Sequence, residues 1–161
     1  MTKTLTSKFR MDESIMLTTT AWAQSRSKDP SSKVGACIHD PVTGGLFLGY
    51  NGFPHGVEDR EEWWTRKIEM EDLLTKYDLV VHAEKNATRK AMLAGVSLPD
   101  ASLYCTHLPC PACMRDVICA CGIKRVVYDV EKYPSLTVRG EWIVRSLAKM
   151  CGVELVRVTI S

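Results

Sequence analysis

The stretch LYCTHLPCPACMRDVICACGIKRVVY, from Leu103 to Tyr128, decides the fold class of this 161-residue chain. It opens on a run that predicts a strand at Leu103 to Thr106 and closes on another at Arg125 to Tyr128. Between them, PCPAC (Pro109 to Cys113) marks the beginning of a helix, because proline is tolerated in a first helical turn, and Gly122 marks its end. Strands that alternate with a helix in this way indicate an α/β fold.

The rest of the chain extends this alternation of helices and strands. The first predicted helix carries Met11, Ile15, Thr18 and Trp22 and ends near Ser25. A hairpin follows, in which the strands Val34 to Ile38 and Leu46 to Tyr50 flank the turn at Asp40 to Gly45. Later elements are a helix at Ala83 to Ala94 ended by Gly95, a helix that carries Trp142, Ile143, Leu147 and Met150 and stops at Gly152, and a last strand at Val153 to Val158. We therefore expect one domain over residues 1–161, a three-layer α/β/α arrangement with a mixed five-stranded sheet.

Three residues have the types and the order of zinc ligands. His82 begins HAE, and the two cysteines of PCPAC are Cys110 and Cys113. Zinc binds imidazole nitrogen and thiolate sulfur at tetrahedral angles, and a catalytic site keeps its fourth position open for water. The helix N-terminus predicted at PCPAC favours the thiolate form of these cysteines. We expect His82 and Glu84 at the irregular entry of the second helix, where both side chains can converge on the metal.

Glu84 is the candidate acid and base. Two thiolates balance the charge of zinc, so a bound water is acidified less than it is by three imidazoles, and a nearby general base is required. Glu84 can take the proton of that water and return it to the leaving group. H-x-E alone is a weak signal, and a single C-x-x-C fits a redox pair or half of a structural zinc site equally well. Their combination in this order is the signature of zinc-dependent nucleobase deaminases.

Composition limits the binding partners and the cellular location that are expected for this chain. A formal charge of +2 gives no basic stripe for a nucleic-acid backbone, so a polynucleotide partner is disfavoured. No apolar run reaches the roughly 18 residues of a membrane span, and an odd count of seven cysteines without a signal peptide indicates a reducing, cytoplasmic location. The remaining cysteines are predicted to lie in the core and the remaining histidines at the surface or a pocket rim: Cys37, Cys105, Cys119, Cys121 and Cys151; His39, His55 and His107.

Four motifs resemble the deoxycytidylate (dCMP) deaminase branch of the cytidine deaminase superfamily, over about residues 21–133. These are VGACI from Val34, GYNGFPHG from Gly49, HAEKNA from His82 and PCPAC from Pro109. The wider stretches RSKDPSSKVGACI, from Arg26, and TKYDLVVHAE, from Thr75, are typical of the dCMP branch. Some viral members use cysteines for a second, structural zinc where this chain has Asp29 and Pro30, so that site is not expected here.

The resemblance implies a cytidine deaminase-like fold and the hydrolysis of dCMP to dUMP and ammonia, which supplies the precursor of thymidylate. Zinc would activate water for attack at C4 of the cytosine while Glu84 protonates N3 and later the departing amine. The resemblance also implies that the base edge is read at Ala83, that Asn51 holds a deoxyribose hydroxyl, and that Tyr133 approaches the phosphate. The end of the third strand separately predicts a base pocket at Thr106, Leu108 and Pro109. The segment from Ser25 to Lys33 offers donors for the phosphate: Ser31, Ser32 and Lys33, and before them the first candidates Arg26, Ser27 and Lys28. A solvated charged loop is the alternative reading of the last three residues.

The insertion from Pro54 to Val81 is the least determined part of the chain. Its dense charges around Trp63 and Trp64 fit a short amphipathic helix between Glu58 and Lys76. The resemblance implies a homohexamer activated by dCTP and inhibited by dTTP, with Mg²⁺ accompanying the triphosphate. The effector site would include Gly49, Tyr50, Gly52, Phe53 and Pro54, although an ordinary turn uses such glycines too.

Two other functions remain compatible with the sequence. One is another deaminase of the superfamily that acts on free cytidine or deoxycytidine, or on a base in a polynucleotide. The other is a zinc-stabilised binding protein without catalysis, for which an unliganded carboxylate such as Glu84 beside the metal has no use.

Overall fold

The computed structural model describes residues 10–130 and 136–160, and these form a mixed five-stranded sheet. Strand β1 is antiparallel to β2 and β3, whereas β3, β4 and β5 run parallel to one another in the order β2-β1-β3-β4-β5. The predicted hairpin and mixed five-stranded sheet are therefore confirmed. The strands are β1 (Gly35–His39), β2 (Leu46–Tyr50), β3 (Ser102–His107), β4 (Arg125–Val130) and β5 (Glu154–Arg157).

The helices match the predicted ones in number and approximate bounds, apart from the insertion. They are α1 (Met11–Arg26), α2 (Lys76–Leu79), α3 (Ala83–Leu93), α4 (Pro111–Cys113) and α5 (Val138–Cys151), with 3₁₀ turns at Glu61–Trp64 and Leu98–Asp100. Helix α4 continues into a π-helical segment, Met114–Cys119, in which Ala120 N–H donates to Arg115 O over 3.2 Å. Helix α5 ends at Gly152, whose φ of 66° provides the left-handed cap.

Helices cover both faces of the sheet, so the three-layer architecture is confirmed. Helix α1 packs its buried Ile15 and Met16 on the face that carries Cys37, Tyr104 and Val127. Alternate residues of the same strands point to the opposite face, where they form the larger core with helices α3 and α5 and the π-helical segment. The functional elements α3 and α4 both belong to this second layer.

The buried face of α1 differs from the predicted one. Met11 is 65% exposed, and Thr18 is also exposed. The helix instead buries Ile15, Met16, Thr19 and Ala23. The spacing of the large apolar residues predicted a different buried stripe. Helix α1 lies so close to β1 that a Cβ at Gly35 would be 2.6 Å from Thr19 O and 2.9 Å from Ala23 Cβ. The helix therefore turns the small residues Thr19 and Ala23 toward the strand.

The prediction of one amphipathic helix between Glu58 and Lys76 is wrong. This segment contains only the 3₁₀ turn at Glu61–Trp64, and α2 begins at its end. Trp64 is the buried anchor, since its ring stacks on Phe53 with centroids 4.2 Å apart. Ile68, by contrast, is 79% exposed.

Among the described residues, none of the helices combines the length and the apolar character needed to cross a bilayer.

Candidate active site

His82 lies at the entry of α3, as predicted. It is the N-cap residue of the helix, with an extended backbone (φ −66°, ψ 150°), and Glu84 follows in the first helical turn. The preceding Val81 is fixed by two backbone hydrogen bonds with Gly52, of 2.8 and 3.2 Å. These bonds hold the chain extended up to His82, and the helix then turns Glu84 toward the same space.

The two cysteines lie at the beginning of α4. Cys110 is the N-cap residue, and its Sγ accepts a hydrogen bond from the Cys113 N–H over 3.4 Å. Contacts with the Cys113 thiol, with His82 and with the backbone lower the pKa of Cys110, although burial opposes this. The sequence places a sulfur where the helix N-terminus favours negative charge.

The three side chains converge with spacings that suit zinc. His82 Nδ1 lies 3.6 Å from Cys110 Sγ and 3.3 Å from Cys113 Sγ. Tetrahedral zinc with Zn–S of about 2.3 Å and Zn–N of about 2.0 Å separates its donors by roughly 3.5–3.8 Å. In the described part of the chain this is the only group of three or more His, Cys, Asp or Glu residues whose ligand atoms all lie within 4.8 Å of one another. The set could hold a zinc ion through three protein ligands.

Glu84 lies beside this group and is almost fully buried, with 4% of its surface exposed. Burial raises the pKa of its carboxyl, and the negative charge of Cys110 adds to the effect. The Cys105 thiol on β3 lines the same pocket as this carboxyl. A carboxyl with a raised pKa beside a metal site is suited to exchange protons near neutral pH.

A pocket of about 280 Å³ opens onto these residues. His82, Ala83, Glu84 and Cys110 line one end of it. Its other lining residues come from β3 and the ends of strands, the insertion, and the beginnings of α4 and α5: Val34, Asn51, Arg66, Lys76, Tyr77, Val80, Cys105, His107, Leu108, Pro111, Leu136, Thr137 and Gly140.

The predicted base-pocket residues divide into two groups. Ala83 and Leu108 line the pocket. Thr106 and Pro109 are buried outside its lining, and the Thr106 hydroxyl accepts a hydrogen bond from Gly35 N–H over 3.0 Å. Tyr133, predicted near the phosphate, lies outside the described residues.

Asn51 lines the pocket, but its side-chain amide is already fully used by the protein. Its Oδ1 accepts from Ser27 Oγ (2.8 Å) and Val34 N–H (2.9 Å), and its Nδ2 donates to Ser32 O (2.8 Å) and Asp29 Oδ2 (3.2 Å). An amide offers two donors and two acceptor positions, and all four are occupied. In this structure Asn51 therefore fixes the chain around Ser27 to Val34.

The other three residues predicted to bind the phosphate, Arg26, Ser27 and Lys28, are not among the lining residues. Ser27 is buried against Asn51, and Lys28 Nζ pairs with Asp59 Oδ2 over 2.8 Å. The Arg26 guanidinium lies over the rings of Trp22 and Tyr50, at 5.7 and 5.9 Å from their centroids.

The residues predicted for the effector site have structural contacts of their own. A Cβ at Gly49 would lie 2.5 Å from both Ala83 O and Ala87 N, so only glycine lets β2 approach α3 this closely. The backbone of Gly52 forms hydrogen bonds with that of Val81, and the ring of Phe53 stacks on Trp64. Tyr50 O accepts a 2.9 Å hydrogen bond from Asn86 Nδ2, and Pro54 O accepts one from Val57 N–H.

Sequence reasoning missed the pocket residues Arg66, Lys76 and Tyr77, which the insertion contributes. Lys76 is buried and pairs with Asp29, which is itself fully buried. His107 at the end of β3 is the pocket-rim histidine, and burial lowers its pKa. A lysine is rarely buried without a partner, but the partner of Lys76 lies far away in the sequence, so no local signal identifies it.

The family model for the cytidine and deoxycytidylate deaminase zinc-binding region matches residues 10–130. Deoxycytidylate deaminase of Mus musculus is 44% identical over 108 residues, which are 67% of this chain and 58% of that protein. The chain thus spans little more than half the length of this curated relative.

Solved structures agree with the fold. The dCMP deaminase of cyanophage S-TIM5, determined in complex with dCMP and dUMP, is 30% identical with a TM-score of 0.69, covering 95% of this chain and 100% of that one. The Rib2 deaminase of Aspergillus oryzae is 16% identical with a TM-score of 0.56, covering 91% and 83%, and shows the fold alone. With the ligand set and the buried Glu84 inside the matched region, this chain belongs to the cytidine and deoxycytidylate deaminase family.

Proposed function

We propose that this chain is a zinc-dependent dCMP deaminase, which converts dCMP and water into dUMP and ammonia. One observation carries the proposal: His82, Cys110 and Cys113 converge as a three-ligand set, and the buried, unliganded carboxyl of Glu84 lines the same pocket as His82 and Cys110. A closed structural site needs a fourth protein ligand and has no use for that carboxyl.

The residues have distinct tasks in this reaction. His82, Cys110 and Cys113 would hold zinc, which when bound acts as a Lewis acid that lowers the pKa of water. Glu84 accepts a proton from the water, protonates N3 of the cytosine, and delivers the second proton to the amine that leaves C4. Leu108 and Val34 form apolar pocket walls that exclude bulk water, and the backbone at Ala83, which also lines the pocket, would read the base edge.

A mononucleotide is the substrate that best fits the pocket. Its volume of about 280 Å³ lies near the lower end of the ~300–1,000 Å³ range of small-molecule sites. The relative from Mus musculus carries the name deoxycytidylate deaminase, and the cyanophage structure holds dCMP and dUMP. A cationic side chain at the pocket, Arg66, favours an anionic nucleotide over a free nucleoside.

Substrate-resolved ammonia release tests the proposal. The zinc-replete protein should deaminate dCMP at least about tenfold more efficiently, in kcat/KM, than deoxycytidine or a cytosine in single-stranded DNA, because one charge-assisted contact to phosphate accounts for a factor of this size. It should also contain one zinc per chain. Equal or greater activity on either comparison substrate would instead identify another deaminase of the superfamily. No activity on any of the three substrates would identify a binding protein.

We further propose that the enzyme is a cytoplasmic homohexamer that supplies dUMP for dTMP synthesis and is activated by dCTP with Mg²⁺ and inhibited by dTTP. Support for an effector site comes from charge near Gly49 to Pro54: Arg26 lies over Tyr50, and Lys90 Nζ donates to Leu48 O over 2.5 Å. Burial lowers the pKa of Lys90, and the nearby Arg26 lowers it further. Exposed Ile68 and Trp142 offer apolar surface for assembly.

Rates at low dCMP measure this regulation. We expect dCTP with Mg²⁺ to raise the rate about fivefold to tenfold and dTTP to reverse the rise, since this corresponds to about 1–1.4 kcal/mol, the lower end of the typical range of coupling free energies. A hyperbolic dCMP response that neither triphosphate alters would exclude the effector site.

A further inference from the structure

We infer that Arg66 selects the 5′-phosphate of the substrate, with the hydroxyls of Ser31 and Ser32 holding its guanidinium in place. This inference rests on the proposed function and names the side chain that makes the enzyme specific for a nucleotide. Arg66 belongs to the insertion and lines the same pocket as His82 and Glu84.

The charge balance of the pocket singles out Arg66. Two cationic side chains of the insertion line it, Arg66 and Lys76. Lys76 is buried and neutralised by Asp29. Among the described residues, no carboxylate lies within ion-pair distance of Arg66. Arg66 therefore contributes a positive charge to the pocket that an anionic ligand can balance.

The guanidinium is held by neutral groups that leave most of its donors available. Nη2 donates to Ser31 Oγ (2.8 Å) and Ser32 Oγ (3.0 Å). The N–H groups on Nη1 and Nε have no hydrogen-bond partner among the described residues, so three donors remain for charge-assisted hydrogen bonds to phosphate oxygens. Ser31 Oγ in turn donates to the buried Asp29 over 3.1 Å, so the hydroxyl that receives Arg66 is itself oriented.

The backbone on both sides of Arg66 is also fixed. Trp64 is buried and stacks on Phe53 with 14° between the rings. Thr65 O accepts a 3.0 Å hydrogen bond from the N–H of Lys76, where α2 begins. A side chain positioned before the ligand arrives loses less conformational entropy on binding, which favours its use as a specificity contact.

Kinetics of Arg66→Gln on two substrates test the inference, with Arg60→Gln as the matched control. Arg60 is an exposed arginine of the same insertion, paired with Glu58 over 2.9 Å and absent from the pocket lining. We expect Arg66→Gln to raise the KM for dCMP about 10- to 100-fold, with kcat and the activity on deoxycytidine within about twofold of wild type. Arg66→Lys should recover part of the loss, and Arg60→Gln should match wild type.

Two kinetic results would overturn the inference: an unchanged KM for dCMP in Arg66→Gln, or an equal loss on dCMP and deoxycytidine. If the KM for dCMP rises in Lys28→Gln but not in Arg66→Gln, the phosphate is bound by the segment at Arg26 to Lys28 instead.

Calorimetric titration separates this inference from the proposed function. If the wild type deaminates neither substrate, the proposed function fails, but binding still reports on Arg66. The wild type should bind dCMP about 10- to 100-fold more tightly than deoxycytidine, and Arg66→Gln should remove that preference. A wild type that binds both equally would disprove the role of Arg66 without reference to turnover.

Discussion

Replacement of Glu84 by glutamine will lower kcat on dCMP by about 10²- to 10⁴-fold. Glutamine keeps the shape of the side chain but can neither accept the proton of water nor deliver one to N3 or to the departing amine. The side chain is 4% exposed in the pocket, so solvent has limited access to replace it as a proton carrier. Steady-state ammonia release, measured together with zinc content, checks the result.

Zinc should remain bound in Glu84→Gln at one ion per chain, since His82, Cys110 and Cys113 are unchanged. The matched control is Glu154→Gln, an exposed carboxylate on β5 that pairs with Arg125 over 3.7 Å. That variant should retain wild-type kcat. Retention of more than a tenth of wild-type activity in Glu84→Gln would show that another group carries the proton.

Replacement of Lys76 by methionine will lower the free energy of unfolding by about 3–5 kcal/mol, because it leaves the buried Asp29 carboxylate without its cation. Asp29 is fully buried and Lys76 is 6% exposed. Burial disfavours ionisation of Asp29, but hydrogen bonds from Lys76 and Ser31 outweigh it and hold the pKa of this carboxyl below its ordinary value. Denaturant unfolding of the zinc-replete protein measures the loss.

The control is Lys28→Met, which breaks the exposed pair of Lys28 with Asp59 and should cost less than about 1 kcal/mol. A combined Asp29→Asn and Lys76→Met variant should recover part of the stability, since no charge is then buried. The pH dependence has a definite sign: because the pKa of folded Asp29 is lowered, its contribution is complete above the ordinary carboxyl pKa of about 3.9 and disappears as the pH falls below it. Equal losses in the two single variants would contradict the buried pair.

The metal set was predictable because its signal is local. The types, order and helix entry of His82, Cys110 and Cys113 are all visible in short motifs, and the strands of the α/β core alternate regularly with helices. The π-helical turn after Cys113 was not predictable, since nothing in the composition of Met114–Cys119 separates it from an ordinary α-helix.

The errors arose where distant contacts decide the structure. The apolar residues around Trp63 and Trp64 predicted an amphipathic helix. The stacking of Trp64 on Phe53 and the hydrogen bond from Lys76 N–H to Thr65 O fix an irregular chain path instead. The phosphate site at Arg26 to Lys28 stays a prediction, although its charge also depends on a distant contact. In the fold, Lys28 is neutralised by Asp59, and Arg66 lines the pocket.

The contact at Gly49 has a mechanical consequence. No space for even one methyl group separates the strand at this position from Ala83 O and Ala87 N, and Ala83 directly follows His82. A displacement of the strand toward the helix by a few tenths of an ångström must therefore be transmitted to the first turn of the helix. The position of the histidine ligand therefore depends partly on how rigidly the hairpin of β1 and β2 packs against α3.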